Sequence, residues 1–339
     1  MKASASTIQV IDPFGVTGDE AMPSLSAALE PEEARQRLTD ALGPVTLREI
    51  RVTRYKPERR CVIEYDFEME RRDSPAETLT LIGKVRRLRS GKSGYQLLNA
   101  FRNAGFGSAA EDGIMVPEPM GVVRDFRMWL QRKMPGRVAT GLLERPGGED
   151  LARRIAEAAH KVHHAGVPAK RSHTMRDELR ILHERLPEVA HERSEWAERI
   201  ERLLSACERL GATTPESEPR GIHRDFYADQ VLVDGDNLYL LDFDLYCAGD
   251  PALDIGNFLG HIREQSLRTT GDPDALAHLE AAMEERFVDL SGEATRAAIH
   301  SYTTLTLARH VHLSTLFPER RAYTEDLLEL CEERLGARC

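Results

Sequence analysis

Close cysteine pairing is missing from this chain. The five cysteines, at positions 61, 207, 247, 331 and 339, are odd in number and too scattered for a disulfide framework or a zinc site. They read as ordinary thiols of a reducing compartment. Long apolar runs are missing too, since no segment approaches the length that spans a bilayer. The first 23 residues carry Pro13, Gly15, Asp19 and Glu20 where a signal peptide needs an apolar block. The expectation is a soluble, cytoplasmic protein with no membrane partner. Basic excess is absent as well: 46 Lys and Arg stand against 56 Asp and Glu, a net charge of -10. That balance excludes nucleic acid or an anionic surface as main partner and suits a cationic small molecule better. There is no internal repeat and no low-complexity segment. What remains is a chain of 339 residues, 41% apolar and 30% charged, enough to build and solvate two lobes.

Periodicity divides the chain into a sheet-rich part followed by a helical one. Residues 30–42 read as a helix, with Pro31 in its first turn and Gly43 just past its end. From Cys61 to Glu70 the apolar Cys61, Ile63, Tyr65, Phe67 and Met69 alternate with acidic residues, the period of a half-buried strand. Strands over 47–55 and 78–85 complete an antiparallel meander, a helix follows at 92–103, and two more strands fall near 120–123 and 126–134. Pro135-Gly136 stops the last of them. Beyond it come helices at 151–166 and 175–210, a hairpin at 231–233 and 238–242, and four further helices. The organisation expected is α+β: residues 1–44 an extension with one helix, 45–136 a small antiparallel N-lobe, and 137–339 a larger helical C-lobe.

The chemistry is concentrated between Gly221 and Phe258. His223-Arg224-Asp225 is followed by Gln230, then the hairpin, then Asp242-Phe243-Asp244 and Asp250-Pro251-Ala252-Leu253-Asp254. Phosphoryl transfer needs a carboxylate to orient and deprotonate the attacking hydroxyl, and oxygen ligands for Mg²⁺ on the phosphates. Asp225 suits the first role and Asp242 the second, with the Gln230 amide oxygen available to a second metal. A hairpin between them brings the two acidic groups to neighbouring strand ends. Isolated aspartates cap turns and helices, as Asp234 and Asp250 do, but the joint pattern is hard to reach by chance.

These motifs resemble those of aminoglycoside phosphotransferases and choline-kinase-like enzymes. The resemblance runs from about residue 45 onward. It implies a two-lobed, protein-kinase-like fold that uses ATP and Mg²⁺ to phosphorylate a hydroxyl of a small molecule such as an aminoglycoside, an amino sugar or a related metabolite. It further implies that Asp225 is the catalytic base, that Asp242 ligates Mg²⁺ and that Asp254 supports the catalytic loop. Lys84, in Ile82-Gly83-Lys84-Val85, would neutralise the α- and β-phosphates, and residues 130–134, with Gln131 and Lys133, would form the adenine-binding hinge. Three departures stand out. Gln230 occupies a position that is usually asparagine. The helix after Lys84 carries no carboxylate, leaving Gln96 or Asn99 as partners for the lysine. The turn at 55–60 has no glycine and offers Lys56, Arg59 and Arg60, so charge takes over from backbone amides in holding phosphate. The reading from another class is a kinase-fold nucleotide-binding or regulatory module without turnover.

Other signals rank lower. Ser90-Gly91-Lys92-Ser93 is similar to the end of a Walker A loop, but Arg86 stands where its first glycine belongs. His160, His163 and His164 on one helix, and His310 and His312 on another, read as packing residues. Only six residues separate Asp244 from Pro251, too few for a peptide-docking activation segment. Asp272, Asp274, Glu280, Glu284, Glu285 and Asp289 would give an aminated acceptor an acidic rim, or else are solvated helix faces.

Overall fold

The computed structural model describes residues 8–71, 74–87 and 92–337. The chain forms two compact units, Met1–Pro135 with Tyr239–Leu241, and Gly136–Leu238 with Asp242–Cys339. In order, the first contains β1 (Gln9–Ile11), α1 (Ser24–Leu29), α2 (Pro31–Leu42), β2 (Thr46–Lys56), β3 (Arg60–Arg71), β4 (Ser74–Arg86), α3 (Lys92–Phe101), β5 (Ile114–Met115), β6 (Pro119–Val123) and β7 (Met128–Arg132). Six of the strands make one sheet in the order β1-β2-β3-β4-β7-β6, antiparallel except for β1, which runs parallel to β2. Residues 9–11 thus extend this sheet beyond β2.

The alternation in β3 works as its period dictates. Cys61, Ile63, Tyr65 and Phe67 are buried and face a core that contains Ile50 and Val52 of β2, Leu81 and Val85 of β4, Leu25 of α1 and Leu38 of α2. Each fully buried side chain of this size is worth about 1.5–3 kcal/mol. The acidic residues between them pair on the opposite face: Glu64 meets Arg51 at 3.1 Å and Lys133 at 2.9 Å, and Thr80 donates to Asp66 at 2.6 Å. In α2, Pro31 occupies the first turn, the Glu30 carboxylate accepts from the Glu33 N–H at 2.6 Å, and Gly43 leaves the helix at φ 91°.

The second unit contains β8 (Arg137–Val138), α4 (Thr140–Leu143), α5 (Gly148–His163), α6 (Met175–Glu192), α7 (Ala197–Thr213), β9 (Arg220–Ile222), β10 (Val231–Asp234), the first half of β11 (Asn237–Leu240), β12 (Cys247–Gly249), α8 (Pro251–Thr270), α9 (Ala277–Ser291), α10 (Arg296–Thr315) and α11 (Thr324–Leu335). The charged helical region expected over 175–210 consists of two helices, α6 and α7. A 3₁₀ turn at Ser194–Trp196 reverses the chain, with Trp196 buried under the Arg193 guanidinium, 5.1 Å from its ring. Charged residues continue through this corner, so the apolar period does not reveal it. At the centre of the unit α8 and α10 lie in close contact. A Cβ added to Gly256 would come within 2.5 Å of the Tyr302 Cβ and 2.8 Å of the Ile299 carbonyl, so only glycine fits there. No described helix is long and apolar enough to cross a membrane.

Candidate active site

The motif His223-Arg224-Asp225 leaves the end of β9, which pairs antiparallel with β12 in the register Ile222 to Cys247. This pairing brings the chain around residue 242 back beside it. The buried His223 ring lies tilted against those of Phe243 and Phe226, its centroid 4.7 Å and 5.6 Å from theirs, so the two acidic motifs are joined through an aromatic contact. Arg224 adopts the left-handed conformation at φ 71°, and Asp242 does so at φ 55°. For residues with a Cβ such backbone is costly and needs support from its surroundings.

The support at Arg224 is Asp254, in the first turn of α8 behind the Asp250-Pro251 cap. Its buried carboxylate accepts from the Arg224 N–H at 2.7 Å, the His223 N–H at 2.8 Å and the His163 Nε2 at 2.8 Å. With His163 Nδ1 unbonded, the network assigns the proton to Nε2. A second circuit reaches the same loop. The Asn257 Nδ2 donates to the Phe226 carbonyl at 2.8 Å, Arg309 binds the Asn257 Oδ1, and the same guanidinium donates to Glu178 at 3.1 Å. His173 closes it, bonding Glu178 through Nε2 at 2.5 Å and donating its N–H to the Ala248 carbonyl on β12 at 2.8 Å. Burial pushes the Glu178 carboxyl up, and Arg309 and His173 more than reverse that, holding it below its usual range. Sequence reasoning named Asp254. His163 is more than the packing residue its helix suggests, and Asn257, Glu178 and Arg309 carry no local signal because their contacts join segments distant in sequence.

Held this way, Asp225 is half-buried, and its carboxylate makes no hydrogen bond to another described residue. Gln230 closes a 3₁₀ turn at Ala228–Gln230, where its N–H donates to the Tyr227 carbonyl at 2.9 Å; its side-chain amide is mostly buried and unbonded among the described residues. Both Asp242 and Gln230 present oxygen donors, the chemistry that hard Mg²⁺ selects. Among the described residues no group of three His, Cys, Asp or Glu could hold a metal.

The nucleotide-side candidates lie in the sheet unit. Lys84 is opposite Trp129 in the β4–β7 register, its amine 5.3 Å from the indole centroid. Gln131 is buried opposite Ile82, and the Lys133 amine is committed to Glu64. Asn99 donates to the Tyr95 carbonyl within its own helix. Arg59 and Arg60 form the end of the β2–β3 turn and the start of β3. Of Ser90-Gly91-Lys92-Ser93, the first two residues lie outside the described residues, and Lys92 opens α3.

Three of the six residues of the acidic rim are paired with cations. Arg263 pairs with Glu280 at 2.9 Å and Asp274 at 3.0 Å, while Glu284 pairs with Arg296 at 2.6 Å and His300 at 2.9 Å. Arg263, Glu280, Glu284, Arg296, His300 and Arg334 line a cavity of about 350 Å³ among α8 to α11. His261 and His310 meet edge to face at 4.4 Å, and Tyr227, two residues after Asp225, stacks on His261 at 4.5 Å.

Residues 95–297 match the family model described as the phosphotransferase enzyme family. No curated protein matches in sequence. Among solved structures, a choline/ethanolamine kinase family protein from Mesorhizobium loti superposes with a TM-score of 0.58 at 14% identity, covering 91% of this chain and 98% of its own. Aminoglycoside phosphotransferase APH(4)-Ia gives 0.55 at 14% identity over 94% and 99% of the two chains, and choline kinase from Cryptosporidium parvum gives 0.54 at 10% over 85% and 89%. The fold is thus that of protein-kinase-like small-molecule kinases, and with more than half of its length matched the chain belongs to the phosphotransferase enzyme family.

Proposed function

We propose that this protein transfers the γ-phosphoryl group of ATP to a hydroxyl of a small molecule. The observation that carries the reading is the Asp254 carboxylate, which holds His223 and Arg224 by their backbone N–H groups and leaves the next residue, Asp225, with an uncommitted carboxylate. In this role Asp225 accepts the hydroxyl proton of the acceptor and orients its oxygen toward the phosphorus. Asp242 and Gln230 hold Mg²⁺, which when bound offsets the charge on the phosphate oxygens. Lys84 contributes a cation to the α- and β-phosphates, Arg59 and Arg60 a second cationic group, and the segment with Gln131 and Lys133 receives the adenine.

A complex of APH(4)-Ia with ADP and hygromycin B, and one of gentamicin with another aminoglycoside phosphotransferase, support ATP as donor and an aminated polyol as acceptor class. The short stretch between Asp244 and α8 favours a small acceptor over a peptide. The test is ADP release with Mg²⁺-ATP against amino sugars, aminoglycosides, macrolides and amino alcohols, with Asp225→Asn as control. Acceptor-dependent ADP release that Asp225→Asn abolishes is the expected result. Mg²⁺-ATP binding without turnover on any acceptor would instead make this a nucleotide-binding module.

A further inference from the structure

The turn between β2 and β3 lacks the glycines that let a phosphate-covering loop offer its amides, and its own N–H groups are engaged. The Arg59 N–H donates to the Lys56 carbonyl at 3.1 Å, and the Glu58 N–H donates to the Asp19 Oδ2 at 2.9 Å, 39 residues away in sequence. Glu58 sits in the left-handed region at φ 55°, where glycine would be at ease and glutamate is strained. The same Asp19 oxygen accepts from the Tyr55 hydroxyl at 2.8 Å, and the Phe14 ring lies 6.2 Å from that of Tyr55. The segment carrying Asp19 is itself fixed. β1 pairs with β2 in the register Ile11 to Arg51, the Asp12 carboxylate accepts from the Val16 N–H at 2.8 Å, and Asp19 accepts from Ala21 at 2.9 Å.

What the turn then presents is crowded positive charge. Arg54, Lys56, Arg59 and Arg60 form no ion pair with another described residue, and the Arg60 Nε is buried without a hydrogen-bond partner. Burial lowers the Lys56 amine, and Arg59, Arg60 and Arg54 lower it further. A cluster of this kind, with its amides engaged, suits an anion bearing several charges.

We propose that Asp19 is a positioning residue: by bracing Glu58 it sets the turn so that Lys56, Arg59 and Arg60 clamp the polyphosphate of a nucleotide through charge. This rests on the phosphoryl-transfer reading and deepens it, since the brace comes from the N-terminal segment, outside the part of the chain matched by the family model. The experiment measures calorimetric affinity for ATP, ADP and adenosine in the wild type, Asp19→Asn, Asp19→Ala and Asp19→Ala/Glu58→Gly, with hydrogen exchange of the Glu58 amide in each.

Asp19→Ala should weaken ATP about tenfold to hundredfold, ADP less, and adenosine less than about twofold, the loss expected when charge-assisted contacts are misplaced. Asp19→Asn, which keeps one acceptor oxygen, should fall between. Adding Glu58→Gly should recover most of the ATP affinity, because glycine holds that backbone without a brace. Equal losses for ATP and adenosine, unchanged ATP affinity, or no recovery with Glu58→Gly would overturn the proposal. Faster Glu58 exchange in Asp19→Ala, combined with a wild type that binds no ATP, would overturn the kinase reading while leaving the brace in place; unchanged exchange overturns the brace itself.

Discussion

Replacing Asp254 with asparagine is the sharpest test of how the catalytic loop is held. Three donors converge on two buried oxygens: the Arg224 N–H on Oδ1, and the His223 N–H with the His163 Nε2 on Oδ2. Asparagine keeps one acceptor, and its best orientation turns the amide NH₂ toward Arg224. One charge-assisted bond is then lost, about 1.5–3 kcal/mol, and a buried N–H facing another donor adds about 1–3 kcal/mol. The two surviving bonds weaken as well, since a neutral acceptor is roughly half as strong as an ionised one. The sum is about 4 kcal/mol or more, a large part of the 5–15 kcal/mol that typically separates folded from unfolded chains. Urea unfolding followed by circular dichroism measures it. His163→Leu removes one donor to the same carboxylate, so the double variant should show a coupling of about 1 kcal/mol. A change below about 1 kcal/mol in Asp254→Asn would refute the reasoning, because a bond network worth so little could not hold Arg224 in its left-handed conformation.

Asp225→Asn should leave ATP binding intact and lower turnover by roughly 10² to 10⁴, the usual contribution of a general base, measured by ADP release at saturating substrate. Asp242→Ala should weaken Mg²⁺-ATP more than Asp225→Asn does, because it removes an oxygen ligand from the metal; equal affinities in a calorimetric titration would contradict the division of roles. Arg309→Met severs the link from Glu178 to Asn257 and should lower turnover by about 10- to 100-fold with little change in ATP affinity, the signature of a displaced loop. Burial, with Arg309 and Arg320 nearby, depresses the His261 imidazole from 6.5 to about 3, so it stays neutral in the fold while the unfolded chain takes up a proton. Stability should be fully present above about pH 6.5 and fall toward pH 3 by about 1.4 kcal/mol per pH unit for this group. Urea midpoints at several pH values check this, and a His261→Phe variant with the same acid slope would contradict it.

The residues that face one another within a local period were legible from the chain alone. β3 shows this: a two-residue alternation needs no partner to be seen, and Cys61, Ile63, Tyr65 and Phe67 are buried as it demands. The His223-Arg224-Asp225 and Asp242-Phe243-Asp244 motifs could also be seen, because both belong to one short stretch around a hairpin. The three-residue β1 was not, since its place in the sheet depends on pairing with β2 and no period fits in so short a strand. Nor was the corner at 193–196, where helical charge patterning runs on through the break. The partners of the site lie 91 residues apart for His163 and Asp254, 131 for Arg309 and Glu178, and 39 for Glu58 and Asp19. Contacts at such separations are set by tertiary packing, and no local propensity encodes them.

The four non-glycine residues in the left-handed region among the described residues sharpen that point. Arg127 sits in an ordinary hairpin turn, its N–H donating to the Arg124 carbonyl at 2.9 Å. Glu58 and Arg224 differ, because each has its N–H held by a carboxylate remote in sequence, Asp19 in one unit and Asp254 in the other. Asp242 takes the same conformation with a side chain that tolerates it better than most. Glu58 and Arg224 therefore stand directly before the phosphate candidate Arg59 and the base candidate Asp225, and Asp242 is itself the metal candidate. Strain of about 1–3 kcal/mol each persists only where the surroundings over-determine it. Each brace is a carboxylate, and only in its ionised form can it accept from all of its donors. Truncating either one releases a backbone segment instead of a side-chain contact, so the damage to function should exceed what the lost hydrogen bonds alone are worth.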